Sequence, residues 1–298
     1  MAQDIFLHAG AHRTGTSSFQ LMLARNRPAL RAAGVLPLYP GRDGAPGGRL
    51  RLRLPGPGTG PRKRAALADM LRDALSRDLG GADAPPQVLV SEENIPGRML
   101  HFYSGQFFPA APRRLAMLAA ALEAQGIARP ARVVYVIRPY AALFESAYRK
   151  RAEDNPVAPF AEIAPAMVAM QAGWPDVVAQ IRDVLAPETL VVLSYPGRGR
   201  SVDLLAQVLG RRIDGLVEPE ARVNLSATDA ALEALQARYH AGETLDRAAW
   251  QAVVAEHAED RAPRGVAAFT AAQRATLDAR YAAHLDRLAA MPGVTFLG

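Results

Sequence analysis

Residues 13–17 read Arg-Thr-Gly-Thr-Ser: a permanent cation, a glycine and three hydroxyls within five positions, just after the apolar run DIFLH. A glycine-containing turn that opens into a helix aims successive backbone N–H groups at one point, and the helix start favours negative charge there. Arg13, Thr14, Gly15, Thr16 and Ser17 therefore suit a phosphate or sulfate group. The common phosphate loop, GxxxxGK[ST], would need lysine where Thr16 stands. Here the cation comes two residues before the glycine instead. The plainer alternative is a helix start capped by Ser or Thr. A second pair is Arg138, at the end of RVVYVI, and Ser146, eight residues on. An arginine at a strand end and a hydroxyl two turns into the next helix can reach one external anion together. The alternative is an arginine stacked on a neighbour and a serine that only faces its own helix.

The elements that must position these residues follow from hydrophobic patterning. Residues 4–8, 87–90, 132–137 and 189–193 are short, nearly continuous Val/Ile/Leu/Phe runs and read as buried strands, with 36–39 as a further short one. Helical patterns cover 17–33, 62–79, 113–125 and 140–152, then a region around 159–186. Residues 201–288 are mostly helical with a break at 218–226. Strands that alternate with helices predict an α/β fold, with a central, mostly parallel sheet flanked by helices on both faces and a helical C-terminal part. No repeat or composition shift divides residues 1–298, so one domain is expected. Residues 41–61, rich in Gly, Pro and Arg, are expected to form a mobile loop. Ligands of such sheets bind at the carboxyl ends of the strands. The informative residues are thus 8–18, 91–94, 138–146 and 194–199.

Composition narrows the classes. The 298 residues include no cysteine, which excludes disulfide scaffolds, thiolate metal sites and cysteine nucleophiles. The net charge of +6 suggests an anionic partner. Lys63 and Lys150 are the only lysines, however, so arginine enrichment spreads most of that charge without regard to a site. Nothing in the pattern reads nucleic acid: basic and aromatic residues do not interleave. No window reads as a membrane span, and the N-terminus lacks the pattern of a secretory signal, so a cytoplasmic location is expected.

Taken together, the two motifs resemble those of sulfotransferases that use 3′-phosphoadenosine 5′-phosphosulfate (PAPS). In that family K-[ST]-G-T-[ST], between a strand and a helix, wraps the phosphosulfate, and R-x7-S after a later strand binds the 3′-phosphate. Arg13 to Ser17 and Arg138 to Ser146 match in order, context and spacing. The wider patterns HAGAHRTGTSSFQ, VLVSEEN and VVYVIRPYAALFESAYR, and RVNLSAT at residues 222–228, are most similar to the bacterial branch. The resemblance covers roughly residues 4–230. It departs at Arg13, where the family usually has lysine. Arginine keeps the charge and adds a bidentate fork.

The resemblance implies a P-loop-like sulfotransferase fold and transfer of a sulfuryl group from PAPS to a hydroxyl or amine. The acceptor would be a glycan, a lipid-linked sugar or a small molecule, and no metal is implied. Arg13, Thr14, Gly15, Thr16 and Ser17 would hold the donor, with Arg13 stabilising the leaving phosphate. Arg138 and Ser146 would bind the 3′-phosphate, and Tyr195 could stack on adenine. Glu92 or Glu93, after the QVLV strand, would take the acceptor's proton, with His8 and His12 as further candidates. Arg198 to Arg200 could meet a phosphate or form a solvated turn. His240, His257 and His284 are expected on the surface. Acceptor specificity is expected from residues 41–61 and the C-terminal helices. Two rival readings remain: a binding protein without turnover that keeps the nucleotide or glycan cleft, and a kinase-like phosphotransferase. The second would want a Gly-Lys pair closing the loop and a strand-end Asp for magnesium, and neither occurs.

Overall fold

Neighbouring residues along each apolar run point to opposite sides of the sheet, and here both sides are buried. In β1 (Asp4–His8), Ile5 and Leu7 face one core while Phe6 faces the other. The same alternation sends Val133, Tyr135 and Ile137 of β4 (Arg132–Ile137) one way and Val134 and Val136 the other. The computed structural model describes residues 3–41, 45–79, 85–219 and 227–298. Its strands form a single parallel sheet in the order β2-β3-β1-β4-β5-β6. The remaining strands are β2 (Val35–Leu38), β3 (Gln87–Ser91), β5 (Thr189–Ser194) and β6 (Thr295–Leu297).

Helices α1 (Thr16–Arg25), α2 (Arg27–Ala32) and α8 (Ser201–Leu209) belong to the smaller core, through Phe19, Leu23, Leu30 and Leu204. The larger core takes α3 (Pro61–Leu79), α4 (Ala111–Glu123), α5 (Tyr140–Ala152), α6 (Phe160–Ala169) and α7 (Trp174–Gln180). It is completed by the C-terminal helices α9 (Asp229–His240) and α11 (Ala271–Ala289); α10 (Arg247–Glu256) packs on α9. The sequence is therefore read correctly as α/β with a helical C-terminal part. Among the described residues, no helix is long and apolar enough to cross a membrane.

Three expectations are corrected. The helix expected over residues 17–33 breaks at Asn26, because Pro28 lacks an N–H and its ring would collide with the carbonyl of Ala24 in a continuous helix. Asn26 uses the break, donating from Nδ2 to the carbonyls of Met22 and Val217. Strand β6 was not expected; three residues carry too little pattern to register. His284 is buried rather than on the surface, with Nδ1 2.6 Å from the Tyr140 hydroxyl. Of residues 41–61, the described part has no helix or strand before α3, but it is anchored. Leu50 is buried and donates its N–H to Tyr39, while Arg27 reaches the Gly47 carbonyl. Most of the RVNLSAT segment lies outside the described residues.

Candidate functional site

The connection from β1 runs to one side of the sheet, towards β2, whereas that from β4 runs to the other, towards β5. The carboxyl ends of β1 and β4 therefore flank a crevice at which the winding reverses, the usual ligand position in open α/β sheets. The chain after β1 stays against β4, since the N–H groups of Ala9 and Ala11 donate to the carbonyls of Val134 and Val136. This carries residues 12–15 directly to the β4 exit. There the chain turns sharply: Arg13 and Gly15 both adopt left-handed conformations, at φ 63° and 83°, and Gly15 starts α1. The Thr14 hydroxyl donates to the Ala11 carbonyl at 2.6 Å and is fully buried, so it holds the turn's shape.

Arg13 meets both members of the second motif. Its Nε donates to the Ser146 hydroxyl at 2.8 Å, and Arg138 Nη1 donates to the Arg13 carbonyl at 2.7 Å. These residues lie 133 and 125 positions apart in the chain. The Arg138 guanidinium sits 5.2 Å from the centre of the Tyr195 ring, a cation–π contact. Burial, and to a lesser extent the charge of Arg13, lower its pKa. The Arg138 backbone is held from behind by the C-terminal helices. Its carbonyl accepts from Trp174 Nε1, the Trp174 N–H donates to the Tyr140 hydroxyl, and Tyr140 meets His284 of α11. Burial lowers the His284 pKa, which favours the neutral imidazole.

Three buried polar atoms around the turn have no hydrogen-bond partner among the described residues: His8 Nε2, Thr16 Oγ1 and Arg198 Nη1. They surround its two glycines. A Cβ on Gly10 would fall 2.7 Å from His8 Nε2 and 3.3 Å from Thr16 Oγ1, and one on Gly15 would fall 2.6 Å from Arg198 Nη2. Buried polar atoms left unpaired cost about 1–3 kcal/mol each, so their clustering on one turn suits an external oxyanion. Arg198 thus lies at the turn rather than in a solvated one of its own. Its distance from residue 15 in sequence concealed its place over Gly15. Burial lowers its pKa, with Tyr195 and Glu218 opposing.

His8 is fully buried, and its pKa falls to about 3, through burial first and then the Arg198 charge. Its Nδ1 lies 2.9 Å from the Ser91 hydroxyl, which in turn accepts from Gln20 Nε2 at 3.3 Å. The other ring nitrogen, Nε2, faces the turn, close to Gly10. His12 donates from Nε2 to the Gly97 carbonyl, while its Nδ1 lies 3.5 Å from Glu93.

Beyond β3 the two acidic candidates part. Glu93 keeps to the His12 side. Glu92 is buried, and its Oε1 accepts from both the N–H and the Nδ2 of Asn94, each at 2.8 Å. Glu92 also lines a cleft of about 790 Å³ formed by residues 50–59, the start of α3 and residues 94–114. Arg114 ties the walls together: its guanidinium donates to the carbonyls of Leu54, Pro55, Asn94 and Ile95. Gly97, the acceptor of the His12 bond, belongs to the cleft wall, so turn and cleft share a boundary. Among the described residues no cluster of three or more His, Asp or Glu is arranged to hold a metal ion.

No protein-family model matches this chain, and no curated protein matches it.

Proposed function

We propose that the protein is a PAPS-dependent sulfotransferase of P-loop-like fold, which transfers a sulfuryl group to an acceptor hydroxyl or amine. The observation that carries this reading is the meeting of Arg13 with Arg138 and Ser146 at the β1/β4 crevice. In this reading the backbone N–H groups of the turn, Thr16, Ser17, Arg13 and Arg198 hold the phosphosulfate. Arg138 and Ser146 hold the 3′-phosphate. The Ser146 oxygen accepts from Arg13 and still has a hydrogen to give. Tyr195, 36% exposed beneath Arg138, offers its ring to the adenine.

The acceptor oxygen forms a bond to sulfur as the bond between sulfur and the 5′-phosphate oxygen breaks. The products are a sulfate ester and adenosine 3′,5′-bisphosphate. The charge gathering on the leaving phosphate is met by Arg13 and Arg198, fixed dipoles and cations in a partly buried site. Glu92, which faces the cleft and is aimed by Asn94, takes the acceptor's proton.

Calorimetry with adenosine 3′,5′-bisphosphate tests the reading. Binding in the micromolar range is expected. Arg138→Ala should weaken it about 10–100-fold, the worth of about 1.5–3 kcal/mol for a charged hydrogen bond. The same change should cost adenosine 5′-phosphate much less. No binding to the wild type at millimolar ligand overturns the proposal.

A further inference from the structure

The cleft beside Glu92 has an unbalanced charge. Arg51, Arg53, Lys63, Arg98 and Arg114 line it, and Glu92 is the only carboxylate among its described lining residues. Arg51, Arg53, Lys63 and Arg98 have no ion-pair partner among the described residues. Arg114 is 5% exposed, and its hydrogen bonds all go to neutral backbone carbonyls. The field reaches His101 on the same wall, whose pKa is lowered by burial and then by Arg114 and Arg98. A concave surface with several cations and one anion concentrates anionic ligands.

The arrangement also limits the ligand's shape. The cations come from three chain segments, at 51–53, 63 and 98–114, which converge on one cleft. Leu52 and Leu54 pack against the main core, while Arg51 and Arg53 stay exposed in alternation with them. A single phosphate or sulfate would engage a part of this set; a chain with one acidic group per unit matches all of it. The cleft volume, about 790 Å³, lies in the usual range of ligand pockets, about 300–1,000 Å³. No Phe, Tyr or Trp is among the described lining residues, so a planar phenol finds no large aromatic ring to stack on. The acceptor atom must also be a hydroxyl or amine within reach of Glu92. A sugar acid carries hydroxyls and a carboxylate on one ring.

We infer that this cleft binds an acidic oligosaccharide, a chain of carboxylated sugar units, as the acceptor that presents its hydroxyl to Glu92. The role as acceptor rests on the sulfotransferase reading; the binding does not. The test is calorimetry of the full chain with tetragalacturonate, with a neutral galactose tetrasaccharide and an acidic tyrosine-bearing peptide as controls, alongside adenosine 3′,5′-bisphosphate. Tetragalacturonate should bind more tightly than either control and should weaken as salt rises. The double change Arg51→Ala/Arg53→Ala should raise its dissociation constant about five- to tenfold, as expected for two exposed charge contacts, and leave the nucleotide's within about twofold. Lys63→Ala, on a different wall, gives an independent loss of about two- to fivefold. Binding of the bisphosphate without binding of tetragalacturonate overturns this inference and spares the transferase reading. Equal binding of the neutral sugar, or tighter binding of the peptide, overturns it too. Binding of tetragalacturonate without the bisphosphate upholds the acidic-sugar cleft and removes the transferase. Binding of neither removes both.

Discussion

The crevice at β1/β4 and the cleft beyond β3 are both lined with arginine, but the arginines are used in opposite ways. In the crevice Arg13 is held by Ser146 and Arg138 by the Arg13 carbonyl and the Tyr195 ring, while Arg198 packs over Gly15. In the cleft Arg51, Arg53 and Arg98 are exposed, and only Arg114 is fixed. Pre-set donors recognise one geometry and lose little freedom on binding. Exposed ones tolerate a range of acidic shapes and give weaker, salt-dependent contacts. A constant donor in the crevice and a variable polymer in the cleft would call for this division. Glu92 and the shared His12–Gly97 boundary stand between the two.

The largest effect should come from that boundary. Glu92→Gln should reduce kcat about 10²–10⁴-fold, the usual worth of a general base, with nucleotide affinity unchanged. Glu93→Gln should cost far less. The reverse order in a radiolabelled sulfate transfer assay would move the base to the crevice side of the wall.

The next effect tests whether the crevice is rigid because the C-terminal helices hold it. A Cβ on Gly173 would lie 2.2 Å from the Tyr140 hydroxyl and 2.6 Å from His284 Cε1. Gly173→Ala should therefore cost about 1–3 kcal/mol in denaturant unfolding, by overpacking. It should weaken binding of adenosine 3′,5′-bisphosphate, because Trp174 holds the Arg138 turn, and leave tetragalacturonate binding unchanged. Equal loss at both sites would mean that crevice and cleft are not separately built.

The third prediction is a pH dependence. His8 has its pKa lowered from 6.5 to about 3 in the folded chain. Between those values the unfolded chain takes up a proton that the folded chain refuses. Stability is full above about pH 6.5 and is lost as pH falls towards 3. From pH 7 to pH 5 the loss assigned to His8 is about 2 kcal/mol. His101 and His284, also lowered, act in the same direction. Urea unfolding across this range should show the slope, and His8→Gln should flatten it; an unchanged slope would remove the buried neutral imidazole from the account.

Much of the scaffold was legible because it rests on local pattern. The β4 run and the α5 helix have the boundaries that the sequence suggests, residues 132–137 and 140–152. Continuous Val and Ile permit little else, and Pro139 fixes where the helix starts. The helix break at Asn26 was legible in principle from Pro28, but amphipathic spacing on both sides concealed it. The site was legible in its parts rather than its assembly. Arg13, Arg138 and Ser146 could be chosen by their place after strands, but that Ser146 and the Arg138 guanidinium both meet Arg13 depends on the order of strands in the sheet.

The sequence by itself determined the alternation of buried strands and amphipathic helices, and the placing of Arg13 and Arg138 just after strands, because hydrophobic period and turn chemistry act over a few residues. The tertiary structure alone decided which distant groups share a space. It brought Arg198 over Gly15, buried His284 behind Arg138, and opened the cation-lined cleft beside Glu92. Those outcomes depend on sheet order and on burial, which change the charge, pKa and reach of a side chain without leaving a mark on its neighbours in sequence.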